Sequence, residues 1–236
     1  MLKDLFTGFL LDYLVSINKM LPAPFKSPIK PTIQQEWGNT SNNYYYFTHG
    51  INIPFHNGID ITFGDSKQTY GTECICPFDT AKVVKINFTQ PMETKGNGVT
   101  IQGQVGDTLY QIVFWHTGEI KVKLGDVIKL GDVVCYVGNS GLCDPMPTKD
   151  KPHNGAHCHL MVFIYKKNPK LNNNWDLQEA NNGVGGSQNP RLLFDFTKWT
   201  YGNDSGWIHD IFPIKQWVVN MQGGVLRDYL CKMLGL

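Results

Sequence analysis

Four histidines and one aspartate fall in three short segments of this 236-residue sequence. The segments are His56-Asn-Gly-Ile-Asp60, Val113-Phe-Trp-His116 and His157-Cys-His159. Two histidine nitrogens and one carboxylate oxygen, with a fourth position open to water, are the usual ligands of a catalytic zinc ion. Any histidine that is not a ligand would be free to transfer protons. The three segments therefore predict one zinc site with catalytic neighbours.

The sequence around the first segment predicts where its two polar side chains lie. Asn57-Gly58 signals a turn, and the apolar residues that follow it alternate as in a strand. We therefore expect His56 to precede a tight turn that leads into a strand carrying Asp60.

The third segment opens a run that is typical of a strand. Side chains two residues apart on a strand point to the same face, about 6.5–7 Å apart. His157 and His159 should therefore face one cleft, while Cys158 points the other way.

In this order, the three segments resemble the motifs of the lysostaphin/LytM-type zinc endopeptidases, which cut peptide bonds in bacterial peptidoglycan. The glycine turn Lys95-Gly-Asn-Gly-Val-Thr-Ile101 is similar to that of the family. So is the hairpin between Val122 and Gly141, which contains Lys-Leu-Gly-Asp-Val twice. The resemblance extends from about Phe55 to about Pro190, well over half of the chain.

The resemblance implies a role for each residue of the three segments. His56, Asp60 and His159 correspond to the zinc ligands, and His116 and His157 correspond to the two unliganded active-site histidines. Zinc would activate a water molecule, one free histidine would act as general base, and the other would help to stabilise the oxyanion. The sequence does not decide which histidine takes which role. The implied substrate is a peptide stem or cross-link of the cell wall.

Two departures from the family pattern stand out. About fifteen residues, Leu142 to Ala156, separate the glycine hairpin from His157, where the family is often shorter. Leu160 and Met161 also follow the last motif, where the family commonly has an aromatic and an acidic residue. The longer segment should reshape one rim of the cleft, and the second change leaves the ligands untouched.

Composition excludes several classes of protein. Apolar residues make up 42% of the chain, enough for a core, and the formal net charge of +1 gives no basic excess for nucleic acid. No run approaches the roughly 20 apolar residues of a membrane span. Asp4 and Asp12 interrupt the apolar N-terminus, which argues against a signal peptide. Because the family that the chain resembles acts on the cell wall and no export signal is evident, the resemblance implies a phage lysin or virion tail component, located in the virion, or in the host cytoplasm before release.

The periodicity divides the chain into three parts. Residues 37–198 contain short alternating runs and glycine turns, which predict a mainly β, antiparallel peptidase core. Residues 1–36 should form an amphipathic helix and a proline-rich spacer. Residues 199–236 should form a short helical extension, and residues 168–189 a long surface loop. The terminal helices would bind other virion subunits or pack back on the core.

Alternative interpretations remain for several features. A histidine on an apolar run is often structural, and His49, His153 and His209 have no motif to support a role. The six cysteines lack zinc-finger spacing, so most should be reduced and buried. The glycine hairpin also resembles lipoyl carriers, but it lacks their lysine tip. A module that retains the fold without turnover, serving structure or cell-wall binding, is the rival to an enzyme.

Overall fold

Short strands dominate the part of the chain that the computed structural model describes, which is residues 21–38, 56–88, 96–178 and 186–196. The strands are β1 (Leu21–Pro22), β2 (Phe25–Lys26), β3 (Thr32–Gln35), β4 (Ile59–Thr62), β5 (Glu73–Ile75), β6 (Thr80–Asn87), β7 (Gly98–Val105), β8 (Thr108–Trp115), β9 (Thr117–Ile120), β10 (Val127–Lys129), β11 (Val133–Val137), β12 (Cys158–Lys167), β13 (Trp175–Leu177) and β14 (Phe194–Asp195). A single helical turn, α1 (Ser66–Thr69), and a 3-10 turn at Pro190–Leu192 complete these regions.

The strands form two antiparallel sheets and one small parallel pair. The larger sheet has the order β10-β6-β7-β8-β12-β4-β3, and β13 pairs with the far end of β12. The smaller sheet has the order β2-β5-β11-β9, and β1 pairs with β14 in parallel. The predicted antiparallel β core is therefore confirmed.

The core lies between the two antiparallel sheets, because one buried cluster contains side chains from both. Phe25 of the smaller sheet packs edge-on against Phe114 of the larger one, with ring centroids 6.2 Å apart. It also contacts Phe63, with centroids at 5.2 Å. Aromatic pairs at such distances add to the stabilisation that comes from burial alone.

Strand β12 positions the central part of the site. Cys158, Leu160 and Val162 are fully buried in the core, so the alternation of a strand turns His159 to the opposite face. There His159 pairs in register with Asp60 on β4 and with Trp115 on β8. Sheet register alone thus brings the last motif beside the first.

His116 lies where the chain leaves the larger sheet and enters the smaller one. It separates β8 from β9 and has φ +57°. The left-handed region costs a residue with a side chain roughly 1–2 kcal/mol. The surrounding sheets hold His116 in that conformation, and conformations of this kind concentrate at functional sites.

The prediction of a proline-rich spacer was wrong for the part of it that the structure describes. Residues 21–35 contribute β1, β2 and β3 to the sheets. Proline lacks an N–H group but retains its carbonyl, so it is tolerated where only acceptance is required. The Pro24 carbonyl accepts a hydrogen bond from Ile75 N at 2.9 Å.

The predicted surface loop at residues 168–189 is also partly structured. Trp175 to Leu177 form β13, and Gln188 bridges to Val162. Three residues are too few for an alternating pattern to stand out from an Asn- and Gly-rich background.

The five cysteines in the described regions are free and buried, as predicted. Cys231, His49, His209 and both predicted terminal helices lie outside the described residues. No helix within the described residues is long and apolar enough to cross a membrane.

Candidate metal centre

Three side-chain atoms from the first and third motifs meet in a small triangle. His159 Nδ1 lies 2.9 Å from Asp60 Oδ1 and 2.9 Å from His56 Nε2, and His56 Nε2 lies 3.1 Å from Asp60 Oδ1. These residues form one of the groups that could hold a metal ion.

The donor set and its spacing fit zinc. Tetrahedral Zn–N and Zn–O bonds of about 2.0–2.2 Å place neighbouring ligand atoms about 3.3 Å apart. The observed separations of 2.9–3.1 Å among the three atoms are close to that value. Two imidazoles and one carboxylate leave room for a water ligand, as in a catalytic site.

The tautomer of His56 is set by a backbone carbonyl. His56 Nδ1 donates a hydrogen bond to Glu36 O at 3.1 Å. Its Nε2 is therefore unprotonated in the neutral ring and carries a lone pair toward Asp60. Outer hydrogen bonds of this kind fix the orientation of ligand histidines.

His159 is oriented by Asn57, a residue that the sequence analysis interpreted only as a turn former. His159 Nε2 donates to Asn57 Oδ1 at 3.1 Å, which leaves Nδ1 free to bind a metal. Gly58 is equally constrained, because a Cβ there would lie 2.7 Å from His159 Nε2. The segment between the two ligands of the first motif therefore supports the third ligand.

The electrostatics of the triangle favour a bound cation. Burial raises the pKa of Asp60, but its contacts with His159 and His56 outweigh burial and hold that pKa well below its usual range. Burial lowers the pKa of His159, which keeps this imidazole neutral near pH 7. A charged Asp60 carboxylate and a neutral His159 imidazole are the protonation states that zinc requires of these two ligands.

His116 lies beside the triangle without joining it. Its ring centroid is 6.2 Å from that of His159 and 4.5 Å from that of His157. His116 Nδ1 donates to Ser140 O at 2.7 Å. Burial, with smaller contributions from His157 and His159, lowers the pKa of His116 to about 3. The ring is thus neutral near pH 7, and its Nε2 carries a lone pair.

His157 lies at the end of the loop that precedes β12, and its ring is oriented by a backbone carbonyl, as that of His116 is. Its Nδ1 donates to Gly155 O at 2.7 Å, and its Nε2 lies 3.8 Å from Asp60 Oδ1. Asn139 closes the loop, because its Nδ2 donates to Pro152 O at 2.9 Å and to Asn154 O at 2.8 Å. The inserted segment therefore supplies the carbonyl that sets the tautomer of His157.

A second potential metal-binding group consists of His116, Cys143 and His157. Cys143 Sγ lies 3.6 Å from His116 Nδ1. Burial raises the pKa of this thiol to about 12. A metal requires the thiolate, so the protonation states here suit zinc less well than those of the triangle.

The structure brings together all five residues that the motifs singled out. His153 instead packs against Tyr70, with ring centroids 4.5 Å apart, and it is not part of the metal centre. Sequence reasoning missed Asn57 and the carbonyls of Glu36, Ser140 and Gly155. Asn57 could have been found, since an amide next to a ligand histidine is a candidate partner. Backbone carbonyl acceptors leave no trace in residue type.

Comparison with known proteins gives matches among solved structures only. No family model matches the chain, and no curated protein sequence matches it. The chain is similar to the catalytic domain of the antimicrobial peptidase lysostaphin from Staphylococcus simulans. That match has 18% identity, covers 69% of this chain and 90% of the other, and has a TM-score of 0.42.

Two further matches are of the same kind. One is a mutant catalytic domain of the prophage-encoded M23 protein EnpA from Enterococcus faecalis, with 22% identity, 73% and 95% coverage and a TM-score of 0.40. The other is a zinc-containing peptidase from Vibrio cholerae, with 18% identity and a TM-score of 0.41. It covers 62% of this chain but only 36% of the Vibrio chain.

These matches concern the fold. Lysostaphin, the peptidase type that the motifs resemble, is among the structures that this chain matches. The TM-scores of these three matches, 0.40 to 0.42, are too low to support an inference about this chain. The case for zinc in this chain rests on its own group of His56, Asp60 and His159.

Proposed function

We propose that this protein is a zinc-dependent endopeptidase that hydrolyses peptide bonds of bacterial peptidoglycan. The observation that carries the proposal is the triangle of His56, Asp60 and His159 with His116 and His157 beside it. Zinc held by these three residues would lower the pKa of a bound water toward about 7. The peptidoglycan substrate follows from the order of the motifs and from their resemblance to the lysostaphin/LytM type.

The two free histidines differ in their surroundings. His157 Nε2 lies 3.8 Å from Asp60 Oδ1, at the edge of the triangle, where it can reach a water bound there. His116 is more deeply buried, and its pKa of about 3 disfavours a positive charge. We therefore assign His157 as the general base.

His116 then serves as a neutral hydrogen-bond acceptor beside the reacting atoms. Its Nδ1–H is held by Ser140 O, so Nε2 can accept a hydrogen bond from the attacking water or from a substrate N–H. This assignment differs from the oxyanion role that the resemblance allowed, because that role requires a donor.

Paired measurements of zinc content and hydrolysis test the proposal. His157→Ala and His116→Ala should keep about one zinc per chain while losing turnover by a factor of about 10² or more. His159→Ala should lose both zinc and turnover. His153→Ala is the matched control, since His153 packs on Tyr70 outside the triangle, and it should retain both.

The substrate assay is the clearing of a cell-wall suspension, with mass spectrometry of the released peptides. The resemblance predicts cleavage next to small residues such as glycine or alanine. Normal activity in His116→Ala would refute the role of that residue. A zinc-loaded protein that releases no peptide from cell walls would support the alternative, a non-catalytic structural or wall-binding module.

The biological setting is a further part of the proposal. The apolar periodicity of residues 2–20 and 217–234 in the sequence supports a phage lysin or a virion tail component that binds other subunits through its ends. Because β1 begins at Leu21, a truncation that tests this idea should stop at residue 19. The truncated protein should keep zinc and hydrolysis but fail to enter a phage particle. Its normal incorporation would contradict the assembly role of the N-terminal segment.

A further inference from the structure

The segment from Glu36 to Gly38 contacts the ligand histidine of the first motif through two hydrogen bonds, one to its side chain and one to its backbone. His56 Nδ1 donates to Glu36 O at 3.1 Å. Gly38 N donates to His56 O at 2.7 Å. The first of these bonds fixes the tautomer in which His56 Nε2 faces Asp60 and His159.

The side chain of Glu36 is held by Arg191, which lies 155 residues further along the sequence. Arg191 Nε donates to Glu36 Oε2 at 3.0 Å, and Arg191 Nη2 donates to Glu36 Oε1 at 2.6 Å. This is a two-pronged contact, which adds geometric specificity to charge attraction. The hydrogen bond with Arg191 lowers the pKa of Glu36 below its usual value.

Arg191 is itself anchored to the core. It lies in the 3-10 turn, where Asn189 Oδ1 accepts a hydrogen bond from Arg191 N at 3.0 Å. The turn leads directly into Leu193 and Phe194, which are almost fully buried. Phe194 also pairs with Leu21 in the parallel strand pair. The guanidinium therefore projects from a fixed point.

We infer that the ion pair between Arg191 and Glu36 positions His56 for zinc. By holding the Glu36 side chain, Arg191 keeps the Glu36 carbonyl against His56 Nδ1, and so keeps the zinc-binding Nε2 unprotonated. The inference rests on the zinc site of the proposed function, but it requires no hydrolytic activity. Arg191 is a positioning residue, because it acts through Glu36 and not on the metal.

The effect should be modest because the pair is half exposed. The side chains of Arg191 and Glu36 are 47% and 51% exposed, respectively. Exposed ion pairs contribute up to about a fivefold change in an equilibrium constant. We therefore expect Arg191→Ala to weaken zinc binding about twofold to fivefold.

Chelator competition at fixed pH measures that change. Glu36→Arg should weaken zinc binding like Arg191→Ala, and the double variant Glu36→Arg with Arg191→Glu should restore most of the affinity. Lys26→Ala is the matched control, since it removes a comparably exposed ion pair with Glu73 at 3.7 Å. It should leave zinc affinity unchanged.

The tautomer of His56 gives a second readout that general destabilisation would not move. In zinc-free protein, nitrogen-15 NMR of the imidazole should show the Nδ1–H form of His56 in the wild type. Arg191→Ala should shift it toward a mixture with the Nε2–H form. Arg191→Lys retains the positive charge but cannot make the two-pronged contact, so its tautomer ratio should lie between those of the wild type and Arg191→Ala. This variant replaces Arg191→Ala if the latter does not fold.

Three results would overturn the inference. The first is an Arg191→Ala variant with unchanged zinc affinity and an unchanged His56 tautomer. The second is a loss of zinc affinity in Lys26→Ala equal to that in Arg191→Ala. The third is a charge-reversed double variant that regains none of the lost zinc affinity. A protein that binds zinc but cuts no cell wall would refute the proposed function and leave this inference intact. A protein that binds no zinc would refute the metal site, and the tautomer measurement would still test the contact with His56.

Discussion

Replacing Asn57 by alanine should weaken zinc binding without touching a ligand. Asn57 Oδ1 accepts the hydrogen of His159 Nε2 at 3.1 Å and so presents Nδ1 to the metal. Without that acceptor, the His159 Nε2–H group loses its partner and the ring can adopt the tautomer that protonates Nδ1. Zinc would then have to displace a proton from its own ligand.

The size of the effect can be worked from two directions. A buried donor left without a partner costs about 1–3 kcal/mol, which is about a fivefold to 150-fold change in an equilibrium constant. Losing an outer hydrogen bond to a metal ligand typically costs 10–100-fold in affinity. The side chain of His159 is 12% exposed, so water can replace part of the lost contact. We therefore expect a loss of about tenfold.

Chelator competition on zinc-loaded protein is the assay, and Asn57→Asp is the matched control. Aspartate keeps an acceptor of the same length and adds a negative charge near the site, so affinity should be retained or increased. Zinc binding by Asn57→Ala within about twofold of the wild type would refute this account of His159. So would a loss in Asn57→Asp as large as that in Asn57→Ala.

Three further predictions concern the surroundings of the site. Gly58→Ala would place a Cβ 2.5 Å from Leu160 O. Denaturant unfolding should therefore show a free energy of unfolding lower than that of the wild type by about 1–3 kcal/mol, and an unchanged value would contradict the close packing. The pKa of His116 is about 3 when folded and about 6.5 when unfolded, so the unfolded state binds more protons between these values. Zinc-free protein should therefore lose up to about 1.4 kcal/mol of stability per pH unit below about pH 6.5, and His116→Gln should reduce that slope in pH-dependent denaturation. Asn139→Ala should loosen the loop that holds Gly155 O against His157 and so lower the turnover number with zinc content unchanged. Unchanged turnover would show that the loop keeps its conformation without Asn139.

The sequence predicts the motif geometry well because two strong constraints coincide there. Asn57-Gly58 forces a turn, and the alternation after it leaves one register in which Ile59 and Ile61 are buried, so Asp60 must face the other way. The same alternation in β12 fixes His159. Register errors would bury polar groups or expose apolar ones, which makes these placements robust.

Other features depend on groups that residue type does not reveal. The carbonyls of Glu36, Ser140 and Gly155 orient three of the histidines, and any residue carries a carbonyl. The sequence did not predict that residues 21–35 join the sheets. Their proline content suggested a spacer, and their strands are short and pair with residues far along the chain. The left-handed backbone at His116 is a tertiary effect, imposed where the chain passes between sheets.

X-ray absorption at the zinc edge of purified, zinc-loaded protein tests the central claim most directly. We predict one zinc per chain with only nitrogen and oxygen neighbours at about 2.0–2.2 Å, as His56, Asp60, His159 and water would provide. A sulfur neighbour at about 2.3 Å would place the metal instead in the group that contains Cys143. That result, or protein that takes up no zinc, would contradict the account.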